Sequence, residues 1–124
     1  MKKKQNTLIK FFKSFKYAFN GIIIALKNEF NLRFHFIATI LVTILGFVYK
    51  IDKYEWFICL ILIGLVISSE LFNTAIEETI DIISPKYNNK AKFVKDVSSA
   101  AVLILAFISL IIGLIIFIPK IINV

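Results

Sequence analysis

From Val97 to Pro119 the chain runs for 23 residues without a charged side chain. That run constrains the fold more than any motif, because about 20 apolar residues in a helix match the hydrocarbon thickness of a bilayer. A lone segment crossing lipid must satisfy its own backbone hydrogen bonds, which selects the α-helix. Two further apolar runs precede it. Phe34 to Tyr49 is uncharged over 16 residues when His35 is neutral, short but sufficient with snorkelling flanks. Trp56 to Ser84 forms the longest run and is ended by Pro85. With 59% hydrophobic residues in 124, one domain could not hide its apolar surface in a core, so lipid must cover the rest. The expected fold is an all-α integral membrane protein, one domain over 1–124, with membrane helices at 34–49, 56–84 and 97–119.

The N-terminal segment reads differently. Over 8–27, Lys10, Lys13 and Lys16 recur every third residue beside Phe11, Phe12, Phe15 and Phe19, the pattern of an amphipathic helix lying in the headgroup plane. Met1-Lys2-Lys3-Lys4 resembles a basic leader, but lysines recur where an apolar segment should follow, and no small-residue cleavage site appears; it is expected to be retained. The net charge of +7 raises nucleic acid or an anionic membrane surface as partners. The lysines flank apolar spans, so the bilayer is the expected partner and nucleic acid is not. Cys59 is the sole cysteine and excludes a disulfide framework or zinc spacing.

Orientation follows from the basic residues. Eight precede the first span and four (Lys86, Lys90, Lys92, Lys95) occupy the segment Pro85–Asp96, read as a polar loop. The connection between the first two spans holds two and the C-terminus one. The positive-inside rule then puts the N-terminus and the Pro85–Asp96 segment in the cytoplasm of a multi-pass cell-membrane protein.

Against this background the acids of the second span stand out. At about 100° per residue, Glu70, Asn73, Glu77 and Asp81 share one helical face within roughly 80°, and Glu78 points elsewhere. A carboxylate in lipid is unfavourable by about 2.5–3.5 kcal/mol even on insertion scales, so such acids face a protein interior and mark function. Entering from outside at Trp56, the helix carries Glu70 about 21 Å deep and Glu77 about 31 Å deep. A three-helix bundle is thin, so a partner subunit is expected to cover the stripe. Glu29, just before the first span, and Lys95-Asp96, just before the third, reach the same membrane face. Glu29 and Glu77 suit a hard cation such as Mg2+, which takes one or two carboxylates and completes its shell with water and phosphate oxygens. Glu70 lies where a lipid hydroxyl would enter sideways and could accept its proton, with Asn73 one turn below. Lys95 would offset phosphate charge, and Tyr17 or Tyr87 would offer a flat surface to a base. Phosphoryl transfer from a nucleotide to a lipid alcohol fits this set. The isolated glycines exclude a P-loop or dinucleotide fingerprint, and taken alone the stripe fits an ion pathway equally well. Arg33 reads as a positive-inside anchor, His35 as an interfacial side chain, and Asp81 as a helix-end cap or the partner of a lysine.

The run Glu70-Leu71-Phe72-Asn73-Thr74-Ala75-Ile76-Glu77, then Asp81, then Lys95-Asp96-Val97-Ser98-Ser99-Ala100-Ala101 resembles the signature of the small prokaryotic diacylglycerol kinase family. The likeness extends from Tyr17 to the third span. It implies an N-terminal surface helix, three membrane helices and a homotrimer with active sites shared between subunits. It implies Glu70 as general base with Asn73 beside it, and Glu29 and Glu77 as Mg2+ ligands. Lys10, Tyr17, Glu29, Glu77, Lys86, Tyr87, Asn88, Lys95 and Asp96 match ATP contacts, and Ser99 joins Glu70 at the lipid. The segments Asn28–His35 and Ser84–Tyr87 look like the Gram-positive branch, which phosphorylates mainly undecaprenol. Two positions depart: Lys10 stands where arginine is common, and Asn88 replaces a frequent histidine. The expected activity is ATP-dependent phosphorylation of undecaprenol, with diacylglycerol as the alternative lipid. A cation channel with a carboxylate ring and a non-catalytic membrane adaptor are the rivals from other classes.

Overall fold

The computed structural model describes residues 6–123; the basic start Met1–Lys4 lies outside them. The described residues form four helices in chain order: α1 Thr7–Asn28, α2 Phe30–Val48, α3 Lys53–Ile83 and α4 Asn89–Ile122. The last three, of 19, 31 and 34 residues, are long and apolar enough to cross a membrane. At 1.5 Å per residue α3 measures about 46 Å, more than the hydrocarbon core.

Each start has a local cause. Asn6 accepts from the Leu8 amide at 3.0 Å. Asp52 and Glu55 form a reciprocal capping box, each carboxylate taking the other residue's backbone N–H at 2.9 and 3.1 Å. Asn88 accepts from the amides of Lys90 and Ala91. That cap corrects the expected polar loop Pro85–Asp96: only 84–88 connects α3 to α4, and Lys90, Lys92 and Lys95 ride on the first turns of α4. Charge interrupts an apolar run without interrupting a helix. Pro119, read as the end of the third span, sits inside α4, which continues to Ile122.

Cross-contacts fix the topology. Between α2 and α3, His35 meets Glu70 and Gly46 meets Trp56. Between α3 and α4, Glu55 meets Lys120 and Asp81 meets Lys95. Both pairs therefore run antiparallel, as short connections demand. The central helix α3 touches each of the other three, and its longest interface is with α4.

Side chains buried inside the bundle are few. At the end holding the α2–α3 turn, Ile51, Cys59, Ile116 and Phe117 form a small core, flanked by Val42, Leu45, Tyr49, Trp56 and Ile112. Gly46 lies beneath the Trp56 ring so closely that a Cβ there would fall 2.6 Å from a ring carbon. The turn closes with the Ile51 amide donating to the Gly46 carbonyl at 3.1 Å, and Lys50 adopts φ of 50°. Elsewhere the outer surface is apolar, with Ile37, Ile40, Leu60, Leu103 and Phe107 all exposed. Such a surface is stable against lipid tails and not against water.

Candidate functional site

Two structural accidents of the chain bring carboxylates together at the other end. First, a single residue, Glu29, closes α1 and opens α2. Its amide donates to the Ala25 carbonyl at 2.8 Å and its carbonyl accepts from the Arg33 amide at 3.3 Å. Its side chain makes no cap bond, so the carboxylate is available to the site. Arg33, expected as a membrane anchor ahead of a lipid-phosphate contact, also holds this elbow: its guanidinium donates to the Lys27 carbonyl at 3.1 Å. Second, the acidic face of α3 turns inward. Glu70 is 2% exposed and Asn73 5%, and Glu77 is half-buried.

Two members of the stripe are covered within one chain. Because α3 is central, its neighbours cover Glu70 and Asn73 without help from a second subunit. The fourth member, Asp81, does leave the interior. It is exposed and pairs with Lys95, as the reading of a lysine partner had it.

Within the site Asn73 Nδ2 donates to Glu77 Oε1 at 3.3 Å, while Asn73 Oδ1 is buried with no hydrogen-bond partner. Glu29 and Glu77 are electrostatic neighbours of Glu70. Burial pushes the Glu29 carboxyl above its usual range, repulsion from Glu77 and Glu78 adds to this, and Arg33 offsets part of it. Among the described residues, no lysine or arginine lies within ion-pair distance of Glu29, Glu77 or Glu78. Crowded carboxylates with no ion-paired cation, beside a buried acceptor with no donor, fit a hard divalent ion whose remaining ligands are water and phosphate. Among the described residues no three His, Cys, Asp or Glu side chains close into a cage, so such an ion would rest on a two-carboxylate set.

One neighbour escaped the sequence reading. His35, taken as interfacial, points inward from α2 and places Nε2 3.9 Å from Glu70 Oε2. Among the described residues, the remaining site residues make no hydrogen bond or ion pair with Glu29, Glu70 or Glu77. Lys10, Tyr17, Lys86 and Tyr87 are exposed, and Ser99 is exposed on α4. Asn88 spends its side-chain oxygen on the α4 cap, and Asp96 pairs with Lys92 at 2.6 Å.

The family model of prokaryotic diacylglycerol kinase matches residues 16–117, a stretch that includes the elbow, the acidic face and most of α4. The chain belongs to that family. It is 46% identical over 119 residues to the undecaprenol kinase of Bacillus subtilis (strain 168), covering 96% of this chain and 97% of that protein. It is 28% identical over 111 residues to a diacylglycerol kinase of Synechocystis sp. (strain ATCC 27184 / PCC 6803 / Kazusa), covering 89% of this chain and 63% of the relative. The chain is thus a kinase, and its three long apolar helices make it a membrane protein.

Proposed function

We propose that this kinase transfers the γ-phosphoryl group of ATP to the primary alcohol of a membrane lipid, undecaprenol first and diacylglycerol as the alternative. The observation that carries this reading is the pairing of a nearly sealed carboxylate, Glu70, with two carboxylates that have no ion-pair partner among the described residues, Glu29 and Glu77, at one end of a membrane bundle. The 46% identity to a protein named undecaprenol kinase favours the polyprenol over the glycerolipid.

In this reading Glu70 accepts the hydroxyl proton as the lipid oxygen bonds to the γ-phosphorus and ADP leaves. Asn73 holds Glu77 through its amide nitrogen and turns its unpaired oxygen toward the reacting groups. Glu29 and Glu77 would hold Mg2+, which when bound would neutralise charge on the phosphates. Lys10, Tyr17, Lys86, Tyr87, Asn88, Lys95 and Asp96 contact the nucleotide, and Ser99 the lipid. For Lys95 this requires exchange of Asp81 for phosphate. Asn88 contributes its amide nitrogen, since its oxygen caps α4.

The whole chain, 1–124, acts as one domain. Its α1 lies on the cytoplasmic surface of the cell membrane, phenylalanines toward lipid, with Lys10 and Tyr17 facing the aqueous side. A homotrimer with shared sites supplies the nucleotide residues that make no hydrogen bond or ion pair with these acids within one chain. The test is purified protein in lipid nanodiscs with labelled ATP and magnesium, offered undecaprenol and diacylglycerol in parallel. Label is expected on undecaprenol in excess. Label mainly on diacylglycerol transfers the reading to the other lipid, and label on neither removes it.

A further inference from the structure

The base needs somewhere to put its proton. Glu70 is 2% exposed, and its electrostatic neighbours Glu29 and Glu77 are the carboxylates committed to the metal in the reading above. Water cannot reach a group sealed to that degree without local opening. The other ionisable partner near Glu70 is His35, whose Nε2 lies 3.9 Å from Glu70 Oε2. Its side chain is 15% exposed against 3% for that of Glu70, so the imidazole bridges the sealed carboxylate and the outside. The separation is too long for a hydrogen bond and within reach of a small rotation of either side chain; catalytic hydrogen bonds are often long before substrate binds. The other hydrogen bond near the ring is to the His35 backbone, where Thr39 Oγ1 donates to the carbonyl at 2.8 Å and leaves both ring nitrogens unclaimed.

We infer that His35 is a positioning residue that acts through Glu70: the proton taken from the lipid alcohol passes from Glu70 Oε2 to His35 Nε2 and then to water. The inference rests on the kinase reading. The balance is closed: the lipid O–H bond breaks, its oxygen bonds to the γ-phosphorus, the bond to the leaving ADP oxygen breaks, and the proton leaves through the imidazole to water. Glu70 is returned to its ionised form for the next turnover. The charged groups around the pair are few. On α3 they are Glu70 itself and Glu77, at the elbow before α2 Glu29, and on α2 Arg33, whose guanidinium donates to the Lys27 carbonyl. Between Asp96 and Lys120, α4 carries no titratable side chain.

His35 is the sole histidine of the chain, so untagged, 15N-histidine-labelled protein in nanodiscs gives one pair of ring signals. The ring midpoint is expected to fall by about one pH unit in Glu70→Gln, because the carboxylate that favours imidazolium is gone. This arm needs no turnover. In the kinetic arm, His35→Gln is expected to lose about tenfold in kcat at neutral pH with the KM for ATP unchanged. It should also lose whatever limb of the kcat profile the wild type shows between about pH 5 and 8. An unmoved ring midpoint in Glu70→Gln, or a His35→Gln enzyme with wild-type kcat and pH profile, overturns the relay alone. Failure of the wild type to phosphorylate any lipid alcohol overturns the kinase reading, a separate result.

Discussion

The two ends of the bundle are built on opposite terms. At the α2–α3 turn both acids have their complements: Asp52 and Glu55 cap each other, Lys120 reaches Glu55 at 2.9 Å, and Trp56 fills the space above Gly46. At the elbow end Glu29, Glu77 and Glu78 crowd one another without an ion-pair partner among the described residues, and the Asn73 oxygen is buried without a donor. The first end is what packing looks like when only stability is at stake. The second keeps like charges close, a state that folding alone disfavours and that a bound metal and triphosphate would relieve.

The comparison can be broken at its chemical end first. Glu70→Gln is nearly isosteric and removes the base, so kcat should drop at least about a hundredfold while the thermal unfolding midpoint does not fall. Retained turnover would contradict the assignment. Glu77→Gln removes one metal ligand and one repulsive charge together. The magnesium concentration for half-maximal rate should rise about tenfold or more, with the unfolding midpoint unchanged or higher. An unchanged magnesium requirement with a lowered midpoint would make Glu77 a structural residue.

The packed end should respond in reverse. Gly46→Ala drives a methyl into a rigid indole and should destabilise by about 1–3 kcal/mol, seen as a lower unfolding midpoint, with kcat retained below it. Lys50→Gly relieves a lysine held at positive φ and should gain about 0.5–1 kcal/mol with no kinetic effect. The smallest effect concerns pH. Glu29 titrates above its ordinary value, so stability falls as pH rises from the ordinary value through the raised one, and the loss is absent below the ordinary value. Metal binding needs the ionised form, so the magnesium requirement should climb as pH falls through the same window. Glu78→Gln removes one of the repelling charges and should shift that climb a few tenths of a unit lower.

Much of this was legible in the sequence, for definite reasons. Apolar run length gives three long helices, and the period of α3 places Glu70, Asn73 and Glu77 on one face. Some signals were present but unused. Asp52 and Glu55 stand in the D-x-x-E spacing of a capping box, which starts α3 before Trp56, and Asn88 is a cap residue ahead of α4. The other findings are contacts between helices that no local pattern encodes. Whether His35 looks at lipid or at Glu70 depends on the rotation of α2 about its own axis, and Asp81 leaves its stripe because Lys95 waits on the next helix. Arg33 was read by its charge, whereas its role at the elbow comes from five donors in a fixed fork.

That elbow has a mechanical consequence. One extended residue, Glu29, caps the end of α1 and the start of α2, so almost no slack intervenes in which a tilt of α1 could dissipate. Any thinning, curvature or crowding of the headgroup layer that rocks the surface helix is geared directly to the backbone carrying Glu29.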